Sequence, residues 1–101
     1  MNAREKENIF KQLVWDYDIS PKDIEAVLKG DKILAGHYTR DMLFLKLIET
    51  YPWFTIIQLF DPREIKDLLS SQTISKLRSP ALRKKYEFVQ KRLYQIIPAS
   101  G

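Results

Sequence analysis

An all-α fold is what this sequence predicts, and three observations predict it. Only three glycines occur in 101 residues, and no run alternates apolar and polar residues as a half-buried strand does. Apolar residues recur instead at steps of three and four, the spacing of one helix face. Helix-start chemistry stands ahead of these runs, as in Ser20-Pro21, Asp61-Pro62-Arg63-Glu64 and Ser79-Pro80. The expected architecture is a compact single-domain bundle of five main helices plus one or two short helical turns. It would cover residues 1–97, with 98–101 as a flexible C-terminal tail.

The first helix is expected over about residues 3–15. Asn2 with Glu5 has capping-box spacing, and Ile9, Phe10, Leu13, Val14 and Tyr17 follow at helical intervals. Trp15-Asp16-Tyr17-Asp18-Ile19 carries the chain into a turn. Ser20 then caps the second helix with Pro21 at its first position, and Ile19 with Ile24 occupies the two sites of a hydrophobic staple. Ile24, Val27 and Leu28 form its inward stripe, and Gly30 is placed to end it in a left-handed conformation. Residues 31–38 connect, with Gly36 as breaker.

Thr39 caps the segment around which the chain is organised. From Met42 to Phe60, 13 of 19 residues are apolar or aromatic, a density that requires cover on more than one side. Lys46, Glu49 and Pro52 interrupt it too often for a bilayer span. It reads as two helices hinged at Tyr51-Pro52, with Pro52 as first residue of the second. Leu45, Ile48, Trp53, Ile57 and Leu59 are expected to be largely buried. The next helix opens at Asp61 and turns Ile65, Leu68 and Leu69 inward. Ser70-Ser71-Gln72 breaks it, Thr73–Leu77 makes one helical turn, and the last helix runs from Ser79-Pro80 to about Ile97.

Length and composition bound the function. A chain of this size can bury roughly 65% of its unfolded surface as one domain. Cysteine is absent, which excludes disulfides and thiolate metal sites and fits a reducing cytoplasm. The start, MNAREKEN, has no apolar core of a signal peptide. The net charge of +4 is unevenly held: residues 1–74 carry 10 Lys/Arg and 12 Asp/Glu (−2), residues 75–101 carry 7 Lys/Arg and one acid, Glu87 (+6). Such asymmetry points to an anionic partner for the C-terminal segment.

On the last helix, Leu82, Tyr86, Val89, Leu93 and Ile96 step by 4, 3, 4 and 3 and make one apolar seam. Lys84 and Lys91 lie opposite it, Lys85 and Arg92 flank it, and Phe88 falls between the two pairs. A basic helix with a central aromatic suits phosphate contacts with stacking, or an acidic groove that takes the ring. With Lys76 and Arg78 just upstream, these residues are the candidate binding site. Residues 64–77 also invite a helix-turn-helix reading, though the turn lacks glycine and Ile65 and Thr73 stand about two residues too close.

Other constellations fail on their chemistry. Asp16-x-Asp18-x-Ser20 imitates a calcium loop, but Pro21 stands where glycine is required and Val27 where a bidentate glutamate is required. His37 is the only histidine and has no cysteine to join it at a metal. No nucleophile–base pair and no Gly-rich phosphate loop can be assembled, so catalytic, cofactor and metal sites are all expected to be absent.

Three pieces, Val14-Trp15-Asp16-Tyr17-Asp18, the Arg40-to-Trp53 helix with its aromatic exit, and Leu82-Arg83-Lys84-Lys85-Tyr86, together resemble a group of small uncharacterised bacterial helical proteins. Members of that group are encoded beside nucleotidyltransferase toxins of the abortive-infection type and are regarded as their antitoxins. The resemblance covers about residues 13–93, with residues 31–38 departing from the pattern. It implies a cytoplasmic, non-catalytic partner protein and transfers no functional residues. The leading expectation is thus an antitoxin-like interaction protein whose basic helix docks an acidic protein surface. A nucleic-acid-binding module using residues 64–92 is the alternative, a homodimer built on surplus apolar surface the third, and no membrane is involved in any of them.

Overall fold

The computed structural model describes residues 1–14 and 18–97. Seven α-helices lie among them: α1 (Ala3–Leu13), α2 (Pro21–Lys29), α3 (Arg40–Thr50), α4 (Trp53–Leu59), α5 (Pro62–Leu68), α6 (Ser71–Ser75) and α7 (Pro80–Ile96). The all-α class is as expected. The count differs: seven helices stand where five main ones and one or two turns were expected, and the stretch expected as a turn over 73–77 is in part a helix, α6. Of the turn expected over 15–19, residues 15–17 lie outside the described residues, as does the tail expected over 98–101.

Local chemistry sets the starts. The side chains of Asn2, Ser20, Thr39, Asp61, Ser70 and Ser79 each accept a hydrogen bond from the backbone N–H three residues on. Only at α5 is the box reciprocal, with the Asp61 N–H donating to Glu64 Oε1 at 3.1 Å. Pro52 is extended (φ −70°, ψ 162°) and precedes α4, where the sequence reading made it the first helical residue. The turn expected over Thr73–Leu77 starts earlier, at Ser71, because Ser70 accepts from Thr73 N–H and makes a cap of what reads as a break.

Gly30 ends α2 at φ 86°, its N–H donating to the last carbonyls of the helix. Between α2 and α3, Ala35 and Tyr38 exchange both backbone hydrogen bonds around Gly36, which sits at φ 60°. Arg40 Nε then donates to the Leu28 carbonyl at 3.0 Å and stitches the start of α3 to the end of α2.

Helix α3 is the hub, packing against α1, α2, α4, α5 and α6. Its Leu43, Phe44, Leu47 and Ile48 are buried, and even Leu45 and Lys46 are half-covered, as expected for a helix apolar nearly all round. Phe44 meets Phe60 edge-on at 5.9 Å between ring centroids. Helix α4 is less enclosed than expected. Ile56 and Leu59 are buried and Trp53 is half-buried, but Ile57 is 47% exposed and Phe54 68% exposed. A seven-residue helix that touches the hub on one side cannot cover its whole circumference. The expectation for Ile57 is therefore corrected, and Leu45 and Trp53 are half-buried where fuller burial was expected.

Candidate functional site

Helix α7 lies against α5 and α6. Placing Lys84 at 0° on a wheel of 100° per residue puts Leu93 at about 180° and Tyr86 at about 200°. Val89 then falls near 140°, Leu82 near 160° and Ile96 near 120°. Burial follows this order. Tyr86 (1% exposed) and Leu93 (8%) are buried, Leu82 and Val89 are half-buried, and Ile96 is 64% exposed. A 4-3-4-3 seam on a straight helix drifts by about 20° per heptad. By its fifth member the drift has carried the side chain out of the core, so Ile96, expected in the seam, belongs to the surface.

Polar bonds hold the opposite flank. Arg83 Nη1 donates to the Leu77 carbonyl at 2.6 Å, and Gln90 Nε2 to the Leu69 carbonyl at 3.0 Å. Lys66 Nζ donates to the Ile97 carbonyl at 2.7 Å and lies 4.7 Å from the centre of the Tyr94 ring. Residues 83, 90 and 94 share one side of the wheel, between about 240° and 280°, so the helix is fixed in rotation by its seam and by this flank.

What remains is exposed: Glu87 and Pro80 near 300° and 320°, and beyond them an arc of about 120° that nothing covers. In wheel order it holds Lys91, Lys84, Gln95, Phe88, Ala81, Arg92 and Lys85, all exposed. Phe88 is 65% exposed. Arg92 Nη1 donates to Gln95 Oε1 at 3.2 Å. None of the four cations has a carboxylate within 4.0 Å among the described residues; the ion pairs found there (Lys6–Glu25, Lys29–Glu25, Lys32–Asp23) all belong to the N-terminal part. Five of the seven candidate residues are thereby brought onto one face.

Lys76 and Arg78 are not on that face. Both are exposed, but Lys76 ends α6 and Arg78 lies in the connection, where its backbone N–H faces Glu49 Oε2 at 3.5 Å. Ile96 is the residue the sequence reading missed, and the heptad drift was the signal that could have found it. In the helix-turn-helix stretch, α6 spans five residues and buries Thr73 and Ile74, leaving Ser71, Gln72 and Ser75 at its surface.

Elsewhere, an open groove runs between α1 and α2, with Lys6, Lys22 and Lys29 balanced by Glu7, Glu25 and Asp31. Glu25 Oε1 is held by Lys29 Nζ at 3.2 Å and Lys6 Nζ at 3.8 Å, and this partner raises the Lys29 pKa. Lys32, 3.0 Å from Asp23, lowers that carboxyl in the same way. Five charged side chains of this end are thus held in ion pairs, whereas none of the four α7 cations is, among the described residues. The His37 ring lies 4.2 Å from that of Tyr38. Among the described residues, no three His, Cys, Asp or Glu side chains converge as metal ligands do, and no helix is long and apolar enough to cross a membrane. Comparison with protein-family models, curated proteins and solved structures finds no match to this chain.

Proposed function

We propose that this chain is a non-catalytic interaction protein of the cytoplasm, an antitoxin-like regulator that docks an acidic surface of a partner enzyme through the outer face of α7. One observation carries the docking: four cations with no carboxylate within 4.0 Å among the described residues, and with Glu87 as the one acid of their helix, surround an exposed phenylalanine on a face the fold does not use. An interface with an aromatic anchor in a polar rim has this composition. The regulatory part of the reading is supported by the resemblance to toxin-adjacent helical proteins. The same cations would also suit phosphates, so nucleic acid is the second reading and is tested alongside.

The test is a variant with Lys84, Lys85, Lys91 and Arg92 each replaced by Gln. Its circular dichroism and urea midpoint should match wild type, since surface substitutions of this kind stay within about 0.5 kcal/mol each. Wild type should retain an acidic-surfaced protein from native lysate, the purified pair should reassociate, and the variant should lose it. Salt-sensitive binding of nucleic acid by wild type, with a slope flattened in the variant by up to about four phosphate contacts, would replace the protein reading with the second one. A variant that keeps every interaction would remove both.

A further inference from the structure

The arrangement of charges on α7 specifies more than an acidic partner. Lys84 and Lys85 form one pair, Lys91 and Arg92 a second, and each member repeats after seven residues. Seven residues are about 10.5 Å along a helix axis and return to nearly the same face, only about 20° away. Phe88 lies four residues after Lys84 and four before Arg92, within the gap between the pairs. The face therefore reads cation pair, apolar anchor, cation pair, at the repeat length of another helix.

We infer that the occupant of this face is an amphipathic helix of the partner protein, with carboxylates one heptad apart and an apolar position between them that receives Phe88. The inference rests on the docking reading above. Two helices packed at a shallow crossing angle keep heptad-spaced side chains opposite one another over this length, as flanking charges do in a coiled coil. Their charge complementarity then fixes register, while the ring supplies desolvated contact. Ile96, eight residues beyond Phe88 and about 80° round the helix from it, is 64% exposed and adds apolar surface at the edge of this face past the second pair. An exposed aliphatic side chain of this kind has no stacking role on a base, and α7 presents a convex rod where a strand-tracking groove would be concave. Both features favour a helix over a single-stranded nucleic acid as the occupant, and the duplex, whose major groove can also admit a helix, is set against it in the experiment.

The experiment uses the whole chain and hydrocarbon-stapled alanine-based helical peptides labelled with a fluorophore. One peptide carries two Glu-Glu pairs a heptad apart with Leu midway. A second has the same composition with the second pair moved two residues closer, and a third has Gln for every Glu. By fluorescence anisotropy at low salt, the heptad peptide should bind at least about tenfold more tightly than the shifted one. Phe88→Ala should reduce that preference, and substituting Gln at the four cations should abolish binding of both acidic peptides. Equal affinity for heptad and shifted peptides, both lost on removing the cations, would overturn the helical register and leave the docking reading standing. No binding of either acidic peptide above the Gln control would overturn both. Tighter binding of single-stranded or duplex DNA than of the heptad peptide would also overturn the inference.

Discussion

The Trp53 ring meets the Tyr86 ring edge-on, with centroids 6.2 Å apart and planes inclined at 71°. This contact joins the first residue of α4, on the hub side, to the most buried residue of α7, on the side that carries the basic face. Such aromatic pairs contribute about 0.5–1.5 kcal/mol beyond the area they bury. The basic face is in this way anchored to the core through the opposite side of its own helix.

Burial pushes the Tyr86 hydroxyl up to about 12. The unfolded chain ionises this group near its ordinary value of 10.0, so between those two values the unfolded state has lost a proton that the folded state keeps. Stability present below pH 10 should fall as pH rises through this window, by roughly 2–3 kcal/mol at most from this group. Tyr51, raised by burial in the same direction, adds to the trend. Urea melts against pH should show a shallower alkaline loss for Tyr86→Phe than for wild type. An identical slope would mean that Tyr86 ionises freely in the folded state.

Two apolar residues of the central stretch should respond differently to truncation. Leu47→Ala, at a buried position of the hub, should cost on the order of 2–5 kcal/mol. Ile57→Ala, on the open side of α4, should stay within about 0.5 kcal/mol. Urea midpoints decide it, and comparable losses at the two positions would mean that α4 is covered on both sides.

At α5 the reciprocal box predicts a local loss. Asp61→Ala removes the acceptor of the Glu64 N–H, 2.9 Å away, and should lower stability by about 1 kcal/mol. Asp61→Asn should recover most of it, since the amide oxygen can accept the same bond. Failure of asparagine to rescue would show that the carboxylate charge matters more than the acceptor.

Gly30 and Gly36 both have positive φ, but a Cβ on Gly30 would meet nothing within 4 Å, whereas one on Gly36 would come within 2.8 Å of Ile19 Cδ1. Gly30→Ala should cost about 1–2 kcal/mol from backbone conformation alone. Gly36→Ala should cost more, because Ile19, packed on the core, must also move. Thermal melts of the two variants give the ordering, and the reverse order would place Ile19 away from the turn.

Helix starts were legible because capping is local: Ser20, Thr39, Asp61 and Ser79 act on N–H groups three residues on, whatever the rest of the chain does. Short polar stretches were less so. Ser70-Ser71-Gln72 contains residues that serve equally as breaker or as cap and first turn, and only the Ser70–Thr73 bond decides between them. Which apolar residues stay exposed was legible only in part. Ile57 depends on how many neighbours reach α4, a tertiary fact, while the exposure of Ile96 follows from the drift of its own seam. The basic arc could be drawn from periodicity alone. That nothing covers it could not, since Arg83, Gln90 and Lys66 had to be seen bonding to find which flank of α7 is occupied.

The central claim, that the outer face of α7 meets an acidic surface of another protein, is tested most directly by a photo-crosslinker at its centre. With p-benzoylphenylalanine in place of Phe88, irradiation in native cells should yield one dominant adduct. Mass spectrometry should map it to a segment of a different protein rich in Asp and Glu, and the adduct should vanish when Lys84, Lys85, Lys91 and Arg92 are also replaced by Gln. The same crosslinker at Phe54, exposed on α4, should not give that adduct. Crosslinks from position 88 to nucleic acid or to a second copy of this chain, or an adduct that survives loss of the four cations, would contradict the account.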